Sequence, residues 1–227
     1  MDNRFGRGCQ RQGISHANAL QETLLFFIPD TEKPMRKCCR SLATLLLVTA
    51  VGPVLSQTPP ELAAEQVAQD PNASAFPVGR LGVAEQKFAQ GFSLHETGVV
   101  THLMLPLNCT SAPEVIVVHV TIQSLSNGVP SGHALMSQDV PGYALDSWAS
   151  INGTQGMRMI EFERPRLLLS GDYAFTVEAS GGSCMLWTGP LGDSYAEGQA
   201  FIINSPWITA WLPWNRDLSF QVFQRPR

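Results

Sequence analysis

The stretch VIVVHVTIQ, residues 115–123, decides the fold class of this chain. Its apolar residues Ile116, Val118, Val120 and Ile122 occupy every second position, and polar residues such as His119 fall between them. Successive side chains of a β-strand point to opposite faces, so this period of two predicts a strand with one face in a core.

The same period continues through most of the chain after residue 82. It marks three more strands clearly, at 99–107, 172–179 and 217–223, and five more weakly, at 86–92, 134–140, 157–162, 184–188 and 199–203. Turn residues separate them, as in the stretch SNGVPSG at 126–132. About nine strands without a strong helix predict an all-β protein, an antiparallel β-sandwich or jelly roll that forms one domain over residues 82–227.

The N-terminal part has the layout of an export signal. The apolar run SLATLLLVTAVGPVL at 41–55 follows Met35 and a small basic cluster, which predicts a signal peptide over 35–56. The run is short for a bilayer span, so no stable membrane span is expected once the signal is removed. Translation is then predicted to begin at Met35, with 1–34 an over-extension of the reading frame. Residues 57–81, rich in Pro, Ala and Gln, are predicted to be a linker with a short helix at 61–69.

The cysteines support an oxidising compartment. Three of the five lie before residue 57, which leaves Cys109 and Cys184 in the exported part. This pair predicts one disulfide that closes a loop of about 75 residues. The alternative is two buried free thiols. We expect the protein to be exported, to the periplasm or the extracellular space.

The charge balance bears on the partner. Residues 57–227 contain eight Lys and Arg against fifteen Asp and Glu, and the basic residues are scattered. Phosphate binding needs a clustered basic face, so nucleic acid is not an expected partner.

Several motifs together resemble a known type of domain. They are QKF at 86–88, NGVPSG at 127–132, RLLLSGDY at 166–173, DSYAEGQA at 193–200 and DLSF at 217–220. In this combination the chain resembles a secreted bacterial β-sandwich domain of uncharacterised surface proteins, of the choice-of-anchor type, which is similar to carbohydrate-binding jelly rolls. The resemblance implies a fold and no catalytic residues.

The densest unusual feature is the tryptophan-rich stretch SPWITAWLPWN at 205–215. Flat aromatic faces suit sugar rings, so Trp207, Trp211 and Trp214, with Tyr195, are predicted to form a ligand platform. The alternative is that these rings cap the end of the core.

Catalytic and metal-binding patterns are weaker. Gly192-Asp193-Ser194 invites comparison with GDS esterases, but no histidine follows His133 and the pattern is all β. Glu161 and Glu163 could form a glycosidase pair, although Arg164 and Arg166 beside them favour surface ion pairing.

No metal site or cofactor is predicted from the spacing of possible ligands. His102 and His119 could meet across a sheet, and a structural Ca²⁺ could use carboxylates. Neither has a recognisable ligand spacing. The carboxylates considered are Glu161, Glu163, Asp193, Glu197 and Asp217.

We therefore expect an exported, non-enzymatic module that binds a glycan or a cell-envelope polymer. The alternatives are a small exported hydrolase, a glycosidase or esterase, and a purely structural envelope protein. A serine within reach of a histidine, or two carboxylates facing each other across a cleft, would favour the hydrolase.

Overall fold

The structure, a computed structural model, describes residues 58–70, 72, 75–110, 113–145 and 155–227. The predictions on the start of translation and the signal peptide lie outside these residues. The described part contains fifteen β-strands and a 3-10 helix at Gly142–Leu145. The strands are β1 (Glu61–Gln66), β2 (Phe76–Leu81), β3 (Ala84–Leu94), β4 (Gly98–Leu105), β5 (Leu107–Asn108), β6 (Val117–Ser126), β7 (Val129–Pro141), β8 (Arg158–Leu168), β9 (Gly171–Ser180), β10 (Ser183–Leu186), β11 (Thr188–Leu191), β12 (Ala200–Ser205), β13 (Ile208–Pro213), β14 (Arg216–Leu218) and β15 (Phe220–Pro226).

Two antiparallel sheets contain most of these strands. The four-stranded sheet has the order β1-β15-β4-β8. The nine-stranded sheet has the order β5-β10-β2-β3-β9-β6-β7, with β12 paired to β3 and β13 paired to β12, and it curls into a half-barrel. The strands β11 and β14 form a separate two-stranded ribbon. The predicted all-β, antiparallel sandwich is confirmed.

The core lies between the two sheets and follows the alternation in the sequence. Val118, Val120 and Ile122 of β6 are fully buried, and they meet Leu103 and Phe220 of the other sheet in one hydrophobic cluster. Burying apolar side chains of this size contributes about 1.5–3 kcal/mol each, so the inward faces of the strands fix their register.

Each of the nine predicted strands is present, and three of them are divided. Pro106, which has no N–H to donate to a ladder, separates β4 from β5. Similar breaks fall at Trp187, between β10 and β11, and at Ser219, between β14 and β15. The strands β1, β2 and β13 were not predicted.

The prediction of a weakly structured linker over 57–81 is wrong for its described residues. Residues Glu61–Gln66, expected to be helical, form β1 and pair with β15, while Phe76–Leu81 pairs with both β3 and β10. The sandwich therefore begins at Glu61 and not at Gly82. Tertiary pairing outweighs the helix propensity of Ala, Glu and Gln in this segment.

The predicted disulfide is confirmed. Cys109 directly follows β5, and Cys184 lies on β10, the strand to which β5 pairs. The bond fastens the edge of the nine-stranded sheet and is compatible with an oxidising, exported location. No helix among the described residues has the length and apolar character needed to cross a bilayer.

Candidate functional site

The face of the nine-stranded sheet that points away from the core is the main candidate surface, and we call it the outer face. Strand register arranges its side chains in rows that cross the sheet. The first row contains Pro213, Phe201, Ala89, Thr176, Thr121 and Ser137. The second row contains Ile203, Lys87, Glu178, His119 and Asp139.

The two rows differ in accessibility. Ala89, Thr176 and Phe201 of the first row are buried and present little surface to a ligand. The second row remains accessible, because Asp139 is exposed and His119 and Lys87 are partly exposed. A ligand lying on the outer face would therefore meet the second row.

The second row is an ordered series of donors and acceptors. Lys87 Nζ lies 2.6 Å from Glu178 Oε2, and Asp139 Oδ1 lies 2.7 Å from His119 Nδ1. The carboxylates of Glu178 and Glu85 raise the pKa of Lys87, although burial, the largest influence, opposes them. The row thus offers charged and neutral polar groups at spacings set by the strands.

A cavity of about 350 Å³ opens at one end of the outer face. Its polar walls are Ser93, Asp172, Glu197 and Gln199, and Phe201 contributes an aromatic wall. Ser93 Oγ donates to Asp172 Oδ1 at 2.7 Å and to the Glu197 carbonyl at 3.2 Å, which holds the walls together. The cavity is rich in acceptors and suits a ligand with several hydroxyl groups.

Close backbone contact shapes this cavity. Gly91 N–H donates to the Gln199 carbonyl at 2.8 Å, and Gly198 packs on the Gly91 carbonyl so tightly that a Cβ at 198 would overlap it. A glycine is therefore required at 198, within the resembling motif DSYAEGQA.

The tryptophan-rich stretch is a β-hairpin formed by β12 and β13, with Trp207 at its turn. Trp207 is 67% exposed, and Trp211 is half-buried on β13. Trp211 precedes by two residues Pro213, the partner of Phe201 in the first row, so it lies on the strand at the edge of the outer face. These two indoles are available to a ligand at the edge of the sheet.

The other two predicted platform residues belong to the core. Trp214 packs edge-on against Phe76 at 4.8 Å between ring centroids, and it also contacts Phe88 at 5.0 Å. Tyr195 is 7% exposed and meets Phe220 at 5.1 Å. Burial raises the pKa of Tyr195 to about 12, and its hydroxyl donates to Glu197 Oε2 at 3.4 Å. The structure reduces the predicted platform to Trp207 and Trp211.

The GDS serine has a structural role. Ser194 Oγ donates to Asp217 Oδ2 at 3.2 Å and accepts from Gln66 Nε2 at 2.8 Å. The same Asp217 oxygen accepts the backbone N–H groups of Ser194 and Tyr195, and Oδ1 accepts from Gln90 Nε2 at 3.2 Å. Asp217 is buried, so these bonds compensate for its desolvation and tie the 193–197 segment to β3.

The histidines considered for a metal do not meet. His102 lies on β4 of the four-stranded sheet and His119 on β6 of the nine-stranded sheet, and both face away from the core between them. His102 stacks on Phe223 at 4.4 Å, and burial lowers its pKa while Glu161 opposes that shift. The hypothesis of a shared His102–His119 site is wrong.

The carboxylates considered for Ca²⁺ or for glycosidase chemistry are also dispersed. Glu161 opposes His102 on the four-stranded sheet, and the backbone N–H of Glu163 donates to Gln138 Oε1 at 2.9 Å. Within the described ranges, no three His, Cys, Asp or Glu side chains converge as metal ligands would.

His119 has a second polar contact that sequence reasoning missed. Its Nε2 lies 2.9 Å from Ser180 Oγ, while its Nδ1 faces Asp139. The sequence indicated only that His119 points outward. Ser180 and Asp139 become its neighbours because β9 and β7 flank β6 in the sheet.

The fold and the candidate site define a disulfide-bonded antiparallel β-sandwich with a partly polar, partly aromatic outer face. Comparison with models of known protein families finds no match, and a search among curated proteins finds no similar sequence. The resemblance to secreted bacterial surface domains therefore stays a prediction.

Proposed function

We propose that this protein is exported and binds a glycan or another hydroxyl-rich cell-envelope polymer along its outer face. The observation that carries the proposal is the accessible row from Lys87 to Asp139, with half-buried Trp211 on β13, the strand at the neighbouring edge of the same sheet. Sugars are recognised by this combination, because an aromatic face packs on C–H groups while fixed polar groups bind the hydroxyls.

The cavity at the end of the outer face extends the proposed binding surface. Asp172, Glu197 and Gln199 present acceptor oxygens to a volume of about 350 Å³. A sugar ring in this cavity would donate hydroxyl hydrogens to them, and the rest of a polymer would continue along the second row. The Cys109–Cys184 disulfide supports export, and we propose the periplasm or the extracellular space as the destination.

The test is a binding measurement with the purified full chain against soluble neutral and acidic polysaccharides and against insoluble peptidoglycan. Trp211→Ala is expected to weaken binding roughly tenfold, as for the loss of one stacking contact. Glu197→Gln should weaken it through the cavity. The matched control is Leu169→Ala, because Leu169 is a large apolar residue, 65% exposed, that follows β8 of the other sheet.

Two results would contradict the proposal. One is the absence of binding to every probe. The other is binding that Leu169→Ala weakens as much as Trp211→Ala does, since that would place the ligand elsewhere or indicate non-specific adhesion.

A further inference from the structure

Ser180, His119 and Asp139 form a hydrogen-bonded relay across three adjacent strands. Asp139 Oδ1 lies 2.7 Å from His119 Nδ1, and His119 Nε2 lies 2.9 Å from Ser180 Oγ. His119 opposes Asp139 on β7 and Glu178 on β9, which brings Ser180, two residues after Glu178, to its other side. Strand register thus holds all three side chains together.

The order of atoms matches that of serine hydrolases. With a carboxylate on Nδ1, the neutral imidazole carries its proton there, and Nε2 is free to accept from the serine hydroxyl. A serine is a weak nucleophile without such a base, and geometry comes before any other criterion for a base. Ser180 has this partner at 2.9 Å, closer than its other neighbour, the Val117 carbonyl at 3.5 Å, whereas Ser194 is held by Gln66 and Asp217.

The relay is open to a large substrate. The side chains of His119 and Asp139 are 38% and 67% exposed, and Ser180 is exposed at the end of β9. Gly181 follows with φ +76° and packs on the Val115 carbonyl, so the chain turns directly after the serine. The exposed Val115 side chain provides apolar surface beside this turn for a short acyl group.

Polar surface lies on the other side of the relay. Asp139 also lines a cavity of about 290 Å³ with Gln138, Glu163 and Arg164. A sugar unit of a polymer in this cavity would bring its substituents near His119. The cavity is open at the surface, so the rest of the polymer has room to extend beyond it.

We propose that Ser180 is the nucleophile and His119 the general base of a carboxylic-ester hydrolase, with Asp139 as the residue that positions His119. The substrate class is a short acyl ester, such as an acetyl group on a hydroxyl of a polysaccharide. The inference that the ester is carried by a polysaccharide rests on the proposed function, whereas the inference that the protein hydrolyses esters does not. This activity would replace the prediction of a non-enzymatic module.

The reaction needs water as its only co-reactant. Ser180 Oγ bonds to the ester carbonyl carbon as its proton moves to His119 Nε2, and the C–O bond to the alcohol breaks as His119 returns that proton to the leaving oxygen. A water molecule then attacks the acyl-serine and gives a proton to His119. The Oγ–acyl bond breaks, Ser180 regains its proton, and the carboxylic acid leaves.

Covalent labelling tests the nucleophile directly. The full chain treated with a fluorophosphonate should gain one adduct, located by peptide mass spectrometry at Ser180. Ser180→Ala should abolish the label, and the control Ser170→Ala, which removes an exposed serine hydroxyl between β8 and β9, should not. A folded protein that takes no label, or takes it elsewhere, overturns the proposal.

Hydrolysis of p-nitrophenyl acetate tests the relay. Ser180→Ala should bring the rate to the background, and His119→Ala should lower it roughly 100-fold or more. Asp139→Asn should lower kcat with little change in KM, and Asp139→Glu should restore part of it. The matched control is His95→Ala, because exposed His95 also contacts a carboxylate, Glu197, at 3.2 Å. Equal losses for His95→Ala and His119→Ala would reveal only non-specific imidazole catalysis and overturn the proposal.

Acetate release separates this inference from the proposed function. The wild-type chain should release acetate from an O-acetylated polysaccharide, while Ser180→Ala should bind it without release. Labelling of Ser180 in a chain that binds no polysaccharide would refute the proposed function and leave the ester hydrolase standing. Binding of the polysaccharide by a chain that takes no label at Ser180 would refute the ester hydrolase and leave the proposed function standing.

Discussion

Asp217 Oδ2 lies 2.6 Å from the backbone nitrogen of Ser194, and this bond fixes the segment that leads into the cavity of the outer face. The same oxygen accepts the N–H of Tyr195 at 2.9 Å. One buried carboxylate thus satisfies two backbone donors of a segment that lies outside the strands.

Asp217→Ala should lower the free energy of unfolding by about 3 kcal/mol, because it removes the acceptor of the Ser194 and Tyr195 N–H groups and of the buried Gln90 amide. Urea unfolding followed by tryptophan fluorescence measures the change. The control is Asp193→Ala, an exposed neighbour of the same segment, which should stay within about 0.5 kcal/mol of the wild type. Equal effects of the two substitutions would contradict a special role for Asp217.

The tryptophans of the β12–β13 hairpin should separate into two groups by stability. Trp214→Ala removes a ring that packs on Phe76 and Phe88, and it should cost about 3 kcal/mol or more. Trp207→Ala removes an exposed ring and should change the free energy of unfolding by less than about 0.5 kcal/mol. Thermal unfolding of both variants checks this, and a large loss for Trp207→Ala would show that its ring is packed in solution.

His102 should make the protein less stable as the solution becomes acidic. Its pKa is lower in the folded chain than in the unfolded chain, so the unfolded state takes up a proton first. This contribution is therefore present above about pH 6.5, the ordinary pKa of histidine, and is lost as the pH falls through the folded pKa. His102→Phe keeps an aromatic ring on Phe223 and should lose less stability than the wild type between neutral and mildly acidic pH. Urea unfolding at both pH values measures it, and identical pH dependence of the two proteins would contradict the prediction.

Loss of the disulfide should destabilise the sandwich through the unfolded state. The Cys109–Cys184 bond closes a loop with a sequence separation of 75 residues. The chain-entropy relation for a loop of this length gives about 4 kcal/mol. The Cys109→Ala, Cys184→Ala variant should unfold at lower urea, and reductant should lower the wild type to the same midpoint while leaving the variant unchanged. A wild type that reductant does not affect would contradict the prediction.

The fold was predictable wherever one face of a strand is buried. In β6 and β4 the apolar residues that recur at every second position of the sequence are the residues that are buried in the structure. The strand β1 was missed because its Ala and Glu residues favour a helix in isolation, and only its pairing with β15 makes it extended. The strand β13 was missed because the prolines and tryptophans in and around it resemble a loop, although β12 supplies it with a partner.

The candidate site was less predictable, because it depends on register between distant strands. Asp139 and Ser180 are separated from His119 by 20 and 61 positions along the chain. Nothing in one sequence specifies which strands flank β6, so the relay could not be anticipated. The sequence likewise does not tell which aromatic residues of neighbouring motifs are buried. Trp214 and Tyr195 pack in or against the core, whereas Trp207 is exposed.

The position of β15 determines when the four-stranded sheet can be completed during synthesis. This last strand lies between β1 and β4, so the four-stranded sheet has a gap at its centre until Pro226 has emerged. The apolar inner face of the nine-stranded sheet is made earlier, and in the meantime it lacks the core side chains Phe220 and Val222 of β15. Pairing of β1 with β15 joins the two ends of the described chain, a non-local contact of the kind that slows folding. A nascent chain that lacks β15 is therefore more vulnerable to aggregation than one from which this strand has emerged.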